Sequence, residues 1–318
     1  MTITIKQPKR TSRIGSFKSL SSLACAVIGT LCGATQVWAT PLLGTDLASF
    51  TVLGASAVTN VPTSVIVGNV GVSPGTSITG FLSSPGTAVA DGQVTGGLVH
   101  ATTPAAALAQ AQLTTARNNL ASLGLGTMLS NADLTLAGTL LPGVYTVPAG
   151  TTNLSGSLIL DGGGNANAAW VFQMPSTLIT SPNSVVNVIN TGSGAGVYWN
   201  VSSSATIDVN TTFLGNILAL ASISMNTTAT DLCGRALADT GAVTLQQNSL
   251  SGICTGELAG SSGLSGGLDV ASTLGSPDVV SFLPYAPVSG GGTVPEPATL
   301  ALLSLGLAGL GFARRQQK

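Results

Sequence analysis

Outside its two ends, the chain shows little of the three- and four-residue apolar spacing that marks a helix, except in one segment. In that segment Thr103 can cap a helix with Pro104 at its first position, and Gly124 can end it. Apolar residues recur there at helical steps: Ala106, Ala109, Leu113, Ala116, Leu120 and Leu123. The pattern predicts one amphipathic helix over about 103–123, whose alanine-rich stripe can lie close to a sheet.

Most other segments alternate polar and apolar residues over short runs, which predicts strands separated by turns. After Leu140 several runs are weak copies of one another: two apolar residues flanked by short polar ones, then an amide. The copies are 206–210, 222–226 and 242–246, with 153–155 and 177–180 as earlier members. The pattern favours a solenoid of stacked coils, a β-helix, and leaves a β-sandwich as the alternative.

Two of the four cysteines fit the stacked arrangement. Cys233 and Cys254 follow an aliphatic residue at the same place in two segments, 21 residues apart. In stacked coils their side chains would lie about 5 Å apart, within reach of a disulfide. The alternative is a pair of unpaired buried thiols.

The N-terminal region has the order of a secretory signal peptide. Five of the ten basic residues precede residue 20, an apolar stretch follows over 20–34, and Val37-Trp38-Ala39 offers a small-residue cleavage site. We predict a signal peptide over 1–39, cut after Ala39, which would remove Cys25 and Cys32. An uncleaved membrane anchor is the alternative.

The C-terminal region begins with a flexible linker, 289–293, followed by an apolar segment, 298–313, that is short for a membrane-spanning helix. That segment is preceded by Val294-Pro295-Glu296-Pro297 and followed by Arg314-Arg315. This order resembles the PEP-CTERM sorting signal of Gram-negative bacteria, here over 294–318. The resemblance implies transient anchoring in the inner membrane by a short transmembrane helix, and cleavage by an exosortase-type protease. It also implies delivery to the cell surface or the extracellular polysaccharide matrix; a plain membrane anchor is the alternative.

The composition of the body, the segment between these two ends over 40–288, excludes several classes of function. Only 7% of the 318 residues are charged, and the body has ten carboxylates against two arginines, Arg117 and Arg235. Such an acidic surface excludes a nucleic-acid partner. His100 is the single histidine; we expect it in a surface loop, and a His/Cys metal cluster is excluded. No metal, cofactor or catalytic residue is predicted, although a paired-carboxylate glycosidase is not excluded by counting.

Two further patterns have both a structural and a ligand-binding interpretation. The segment Asp161–Asn167 contains three consecutive glycines between oxygen-bearing side chains, which favours a tight turn over a calcium loop. Four aromatic residues begin predicted strands at comparable places, which favours a stack in the core over a sugar-binding ladder: Tyr145, Trp170, Tyr198 and Trp199.

Several motifs occur in a recognisable order across the body: 43–53, 57–60, 68–75, 141–145, 170–173, 215–219 and 234–238. With the helix between the third and fourth, they resemble the bacterial and fungal ice-binding protein family of the DUF3494 type, over 40–288. The resemblance implies a mainly β fold, a discontinuous right-handed β-helix with one long α-helix alongside. It also implies adsorption to ice through one flat β-face.

Outward positions of the strand copies form the candidate ice-binding face. They are Asn153, Ser155, Thr177, Thr180, Thr206, Ser222, Ser224, Ala242 and Thr244. Thr206, Ser222 and Thr244 are expected to line up about 5 Å apart along the stack. The partner would be ice or its ordered water. A non-catalytic matrix or adhesion protein that binds extracellular polysaccharide is the alternative function, and a polysaccharide-active enzyme is a third.

Overall fold

The computed structural model describes residues 38–61, 63–273 and 275–288. Within them lie two α-helices, α1 (Gly44–Ala48) and α2 (Pro104–Ser122), and two 3₁₀ helices, Leu134–Ala137 and Gly256–Leu258. The strands before and just after α2 are β1 (Trp38–Pro41), β2 (Phe50–Gly54), β3 (Ala57–Asn60), β4 (Val65–Val67), β5 (Asn69–Val72), β6 (Ser77–Thr79), β7 (Ala88–Val89), β8 (Val94–Thr95), β9 (Val99–Ala101), β10 (Thr127–Met128), β11 (Thr139–Leu140) and β12 (Gly143–Thr146). The later strands are β13 (Ser157–Asn165), β14 (Ala169–Met174), β15 (Leu178–Ile179), β16 (Val185–Thr191), β17 (Gly196–Val201), β18 (Ala205–Ile207), β19 (Thr212–Ala219), β20 (Ile223–Met225), β21 (Thr230–Ala238), β22 (Val243–Leu245), β23 (Ser249–Ser251), β24 (Leu268–Ser272) and β25 (Val279–Phe282).

Most of these strands pair in parallel and form three ladders. The helix-backed ladder has the order β10-β12-β14-β17-β19-β21-β2-β5-β9. The second ladder contains β11, β13, β16, the first residues of β19 and β21, and then β23, β4 and β8. A separate short-strand sheet has the order β15-β18-β20-β22-β3-β6. Strand β7 pairs antiparallel with β9 at the edge of the helix-backed ladder, and a small antiparallel sheet, β1-β24-β25, completes the described strands.

The described part of the chain is therefore mainly β with few helices, as the sequence predicts. The helix that the sequence predicts over about 103–123 is α2. The Thr103 side chain accepts a hydrogen bond from the Ala106 amide at 3.2 Å, which satisfies one of the free donors at the helix start. Five residues of the predicted stripe are fully buried on one side of α2: Ala106, Ala109, Leu113, Ala116 and Leu120. They belong to one apolar cluster with outward residues of the helix-backed ladder, such as Leu218 and Leu237.

A larger apolar core takes inward residues from all three ladders. Its aromatic part is a stack across neighbouring strands: the Phe172 and Trp199 ring centroids are 4.1 Å apart, and Tyr145 and Phe213 extend the stack at either end. Trp170 and Trp199 are fully buried. The structural interpretation of the aromatic pattern is confirmed for these residues.

Strands from the start of the domain pair with strands from its end. Val52 of β2 lies opposite Ala236 of β21, and Val58 of β3 lies opposite Val243 of β22. Arg235, which is 1% exposed, reinforces this junction by donating to the Ala48 carbonyl oxygen from Nε at 3.1 Å. Burial lowers the pKa of Arg235 to about 10.

One residue lies where the sequence does not place it. His100 is on β9 and is buried, not in a surface loop. Its ring packs edge-on against Phe50, with centroids 5.2 Å apart. The reason is that His100 is paired on both edges of β9, with Gly71 of β5 and Ala88 of β7, and that β9 lies directly before α2.

The terminal segments lie largely outside the described residues. These are the signal peptide up to residue 37, the linker over 289–293 and the sorting segment over 294–318, with its expected transmembrane helix. No helix in the described part of the chain is long and apolar enough to cross a membrane. Ala39, after which cleavage is predicted, lies within β1 and pairs with Ala271.

Candidate functional site

The outward face of the short-strand sheet carries a column of small hydroxylated side chains. Each strand there alternates a buried apolar residue with a half-buried one, because successive side chains of a strand point to opposite faces. Backbone pairing brings one outward residue of each strand into a single row: Ile179, Thr206, Ser224, Thr244, Thr59 and Thr79. Five consecutive members carry a hydroxyl group, and neighbouring strands repeat about every 4.8 Å. We call this row the threonine row.

A second row of mostly smaller side chains runs beside the threonine row, two residues earlier in the chain at each strand, in four cases just before the strand begins. Its members are Thr177, Ser204, Ser222, Ala242, Ala57 and Ser77. Two of its hydroxyls accept hydrogen bonds from the next strand: Ser204 from the Ser222 amide at 3.3 Å, and Ser222 from the Ala242 amide at 3.1 Å. These bonds fix the two serine side chains and leave their O–H groups available to water.

The sequence places Ser222 in line with Thr206 and Thr244, and this is wrong. The residue opposite both is Ser224. Ser222 and Ser224 point to the same face, so both remain on the candidate face, but Ser222 belongs to the second row. The copies are spaced irregularly along the sequence because the turns at the corners differ in length. Comparing the copies by sequence therefore does not give the strand register.

Two predicted face residues are buried within the structure. Asn153 is 1% exposed; its Oδ1 accepts from the Ile179 amide at 2.9 Å, and its Nδ2 donates to the Ala132 carbonyl oxygen at 3.3 Å. Thr180 is also 1% exposed, and its Oγ1 accepts from the Asp208 amide at 2.8 Å. Both side chains satisfy backbone groups at corners, so neither can meet an external surface.

Ser155 is exposed but lies beyond the threonine row. Its Oγ donates to Asp133 Oδ2 at 2.5 Å, and its amide donates to Asp133 Oδ1 at 3.1 Å. It therefore closes a turn at the end of the short-strand sheet, one residue after the single bridge between Leu154 and Thr180.

Besides Ile179 and Ser204, four residues of the two rows were not predicted from the sequence: Ala57, Thr59, Ser77 and Thr79. They belong to β3 and β6, which precede α2 in the chain and join the sheet only through the pairing of β3 with β22. A local signal exists, because Ala57-Val58-Thr59-Asn60 has the alternation of the later copies. The pairing of segments so far apart in the sequence cannot be read from that alternation.

The carboxylate of Asp208 lies close to the two rows and is held by hydrogen bonds at the corner. Asp208 follows β18 at the corner, and its Oδ1 accepts from the Val209 amide at 2.8 Å and from Asn226 Nδ2 at 2.9 Å. The candidate face itself, in the described residues of the sheet, carries only uncharged side chains.

The corner between the short-strand sheet and the second ladder is held in one conformation by stacked polar residues. Asn183, Asn210, Thr228 and Gln247 all have φ between 57° and 62°, the left-handed region. Asn210 Nδ2 donates to Asn183 Oδ1 at 3.4 Å, and Thr228 Oγ1 donates to Asn210 Oδ1. We call this group the amide corner.

The predicted disulfide is present in the structure. Cys233 on β21 is bonded to Cys254, their Cα atoms are 4.6 Å apart, and both residues are buried. The bond joins the end of β21 in the second ladder to the turn after β23.

The glycine-rich segment forms an irregularity within β13, between the paired residues Asp161 and Asn165, and the turn that the sequence predicts follows it at Ala166 and Asn167. Gly163 and Gly164 adopt φ values of 59° and 79°. Asp161 Oδ1 accepts from the Gly163 amide at 2.9 Å and from Asn190 Nδ2 at 3.0 Å, which lowers the pKa of Asp161. In the described residues, no three His, Cys, Asp or Glu side chains come together in a group that could hold a metal ion.

Known proteins are similar to this chain in sequence and in fold. Residues 52–251 match the ice-binding-like family, and residues 293–315 match the PEP-CTERM protein-sorting motif. An ice-binding protein of Nostoc sp. (strain HG1) is 38% identical over 281 residues, which are 87% of this chain and 87% of the relative. Ice-binding protein K3-B1 of Typhula ishikariensis is 34% identical over 187 residues, 55% of this chain and 76% of the relative.

Solved structures agree with the sequence comparisons. The crystal structure of an ice-binding protein from an Antarctic biological consortium is 34% identical, with a TM-score of 0.55 over 68% of this chain and 93% of that one. An ice-binding protein from an Arctic yeast is 28% identical, with a TM-score of 0.57 over 67% and 95%. With the family match covering more than half of its residues, the chain belongs to the ice-binding-like family.

Proposed function

We propose that this protein adsorbs to ice through the threonine row and the row of smaller side chains beside it. The observation that carries the proposal is the strand register: five hydroxyl-bearing side chains, Thr206, Ser224, Thr244, Thr59 and Thr79, lie opposite one another on successive strands. The names of the relatives support the same activity. Thr177, Ser222 and Ala242 contribute to the face through the second row.

The chemistry of the two rows suits ice as a ligand. Ice has no net charge to pair with, so a charged face would pay for desolvation without compensation. Short Thr, Ser and Ala side chains lose little rotamer entropy when they are held against a surface. Threonine presents a methyl group and a hydroxyl group together, and their repeat along the stack can order the water between the face and the crystal.

The proposed architecture is a discontinuous right-handed β-helix. The chain passes from β17 in the helix-backed ladder to β18 in the short-strand sheet, and then to β19, which begins in the second ladder and returns to the helix-backed one. Parallel crossover connections are right-handed in nearly all proteins. The stack is discontinuous because β2 to β4, from before α2, follow β21 to β23.

For localisation we propose export by the signal peptide and sorting through Val294-Pro295-Glu296-Pro297 and Arg314-Arg315. The match to the PEP-CTERM motif supports an exosortase-type protease as a partner. The cell surface or extracellular matrix of a Gram-negative bacterium, reached after transient anchoring in the inner membrane, would then be the site of action. We assign no catalytic role to the protein.

The test is an ice recrystallisation assay on the purified protein at micromolar concentration, with Thr206→Tyr and Thr244→Tyr variants beside it. Each tyrosine would hold the ice surface away from the rest of the face, so both variants should lose most of the activity. Thr115→Tyr, on the exposed side of α2, is the matched control and should keep it.

The possible results separate the candidates. Full activity in Thr244→Tyr would show that another face binds ice. A wild-type protein that neither shapes ice crystals nor slows recrystallisation would favour the non-catalytic matrix protein that binds extracellular polysaccharide.

A further inference from the structure

We infer that the outward face of the second ladder is a second ice-adsorbing surface, which meets the first along the amide corner. This inference rests on the proposed function. It concerns a row that the sequence does not single out and that lies on different strands from the threonine row.

The backbone register defines the row. Ser157 of β13 lies opposite Val185 of β16, Val185 opposite Thr212 of β19, and Thr212 opposite Thr230 of β21. Thr230 lies opposite Ser249 of β23, and Ser249 opposite Val65 of β4. Six successive strands therefore present Ser, Val, Thr, Thr, Ser and Val, again repeating about every 4.8 Å. We call this the second-ladder row.

The side chains of this row are open to the outside in the described structure. Ser157 and Thr212 are exposed, Val185, Thr230 and Ser249 are half-buried, and Val65 is 57% exposed. Beside the row, Leu232 is 47% exposed and Ile159 is 36% exposed. Helix α2 lies on the other ladder, so this face has no cover among the described elements.

Charge is kept away from the face. Asp231 lies between Thr230 and Leu232 in the chain, but its side chain points inward and is fully buried. Burial raises its pKa, against the amides of Cys233 and Gly215 and the charge of Arg235, which lower it. Asp161 lies within β13, four residues after Ser157 and beyond the row, and its Oδ1 accepts hydrogen bonds from the Gly163 amide and from Asn190 Nδ2.

The composition of the second-ladder row favours ice over a second copy of the chain as the binding partner. Four of the six members carry hydroxyl groups, and the two valines are at separate positions in the row. Aromatic side chains, which dominate the buried centres of protein interfaces, are absent from this row. An uncharged surface of in-register methyl and hydroxyl groups is the chemistry already argued for the threonine row.

The amide corner sets the angle between the two faces. Four residues separate Ile207, the end of β18, from Thr212, the start of β19. The left-handed conformation of Asn210 and its bond to Asn183 hold that connection in one shape. Two regular faces at a fixed angle cannot both lie on one crystal plane, so we expect the protein to adsorb to two families of ice planes.

The test uses the purified protein, labelled with a fluorophore and adsorbed to a single-crystal ice hemisphere. Wild type should stain two sets of planes. Thr244→Tyr should lose one set and Thr212→Tyr the other, while the double variant should stain neither and Thr115→Tyr should stain both. Thr212 is exposed, so its replacement should leave the fold intact; Ser157→Tyr, also exposed, repeats the test elsewhere on the row.

The outcomes distinguish this inference from the proposed function. Wild type that stains no plane contradicts the proposed function itself. Wild type that stains ice, with Thr212→Tyr and Ser157→Tyr indistinguishable from it, overturns only the second surface. A wild-type dimer in light scattering that Thr212→Tyr converts to monomer would also overturn it, because the face would then bind a second copy.

Discussion

His100 shows how one buried side chain can connect the fold to pH. Its Nδ1 lies 3.0 Å from Thr103 Oγ1, and that same oxygen accepts from the Ala106 amide at the start of α2. The threonine hydroxyl can therefore donate to the ring only while Nδ1 is unprotonated. Burial lowers the pKa of His100 below its ordinary value of 6.5.

We expect the free energy of unfolding to decrease as the pH falls below 6.5, the ordinary pKa of histidine. In that range the unfolded chain binds a proton that the folded chain does not, until the pH passes the lowered pKa of the folded state. Denaturant unfolding at pH 7 and pH 5 measures the difference. His100→Gln should show a smaller decrease over the same interval; an equal decrease in both proteins would assign the effect to other groups.

At the scale of elements, packing of α2 on the helix-backed ladder is the clearest stabilising contact. Leu113 is fully buried at its centre, whereas Leu108 on the same helix is 55% exposed. The alanine-rich stripe brings the helix axis close to the sheet. A cavity created there by truncating Leu113 therefore cannot be filled by movement of a long neighbouring side chain.

Leu113→Ala should lower the free energy of unfolding by about 2 to 5 kcal/mol, the range for large-to-small changes in a core. Leu108→Ala, chemically the same change, should alter it by less than about 0.5 kcal/mol. Urea unfolding of the two variants measures both values. Similar losses in the two would mean that α2 is not held by its apolar stripe.

The disulfide acts on the same scale, because it joins β21 to the turn that follows the neighbouring strand β23. A closed loop of 21 residues should contribute about 3 kcal/mol through the unfolded state. Cys233→Ser with Cys254→Ser should show this loss in denaturant unfolding. A thiol titration of native wild-type protein should find neither cysteine free, and one free thiol per cysteine would contradict the bond.

Helix α2 and the alternating strands could be predicted because each is encoded in a contiguous segment. The register of the candidate face could not: Ser224 rather than Ser222 lies between Thr206 and Thr244 because corner turns vary in length. Buried Asn153 and Thr180 look like outward residues in the sequence, since a polar side chain that bonds to the backbone at a corner follows the same alternation.

At the scale of the whole molecule, we propose that the sorting segment decides where the protein acts. Replacing Pro295, Glu296 and Pro297 with alanine should leave a longer, membrane-held form, because the exosortase-type protease would no longer recognise the motif. Cell fractionation and intact-mass analysis measure this, with Pro284→Ala as the control. The same spectra should show a released chain that begins at Thr40; unchanged size and secretion in the triple variant would refute the sorting role.

The junction between early and late strands also governs the order of folding. Ala48 and Arg235, which meet there through a hydrogen bond, are 187 residues apart in sequence. Closing so long a loop costs entropy before any contact compensates for it, and chains rich in such distant contacts fold slowly. Strands β2, β3 and β4 can pair early with β5, β6 and β8, but their other edges must wait for β21 to β23. A chain truncated before those strands would therefore leave β2, β3 and β4 without the partners that β21, β22 and β23 provide.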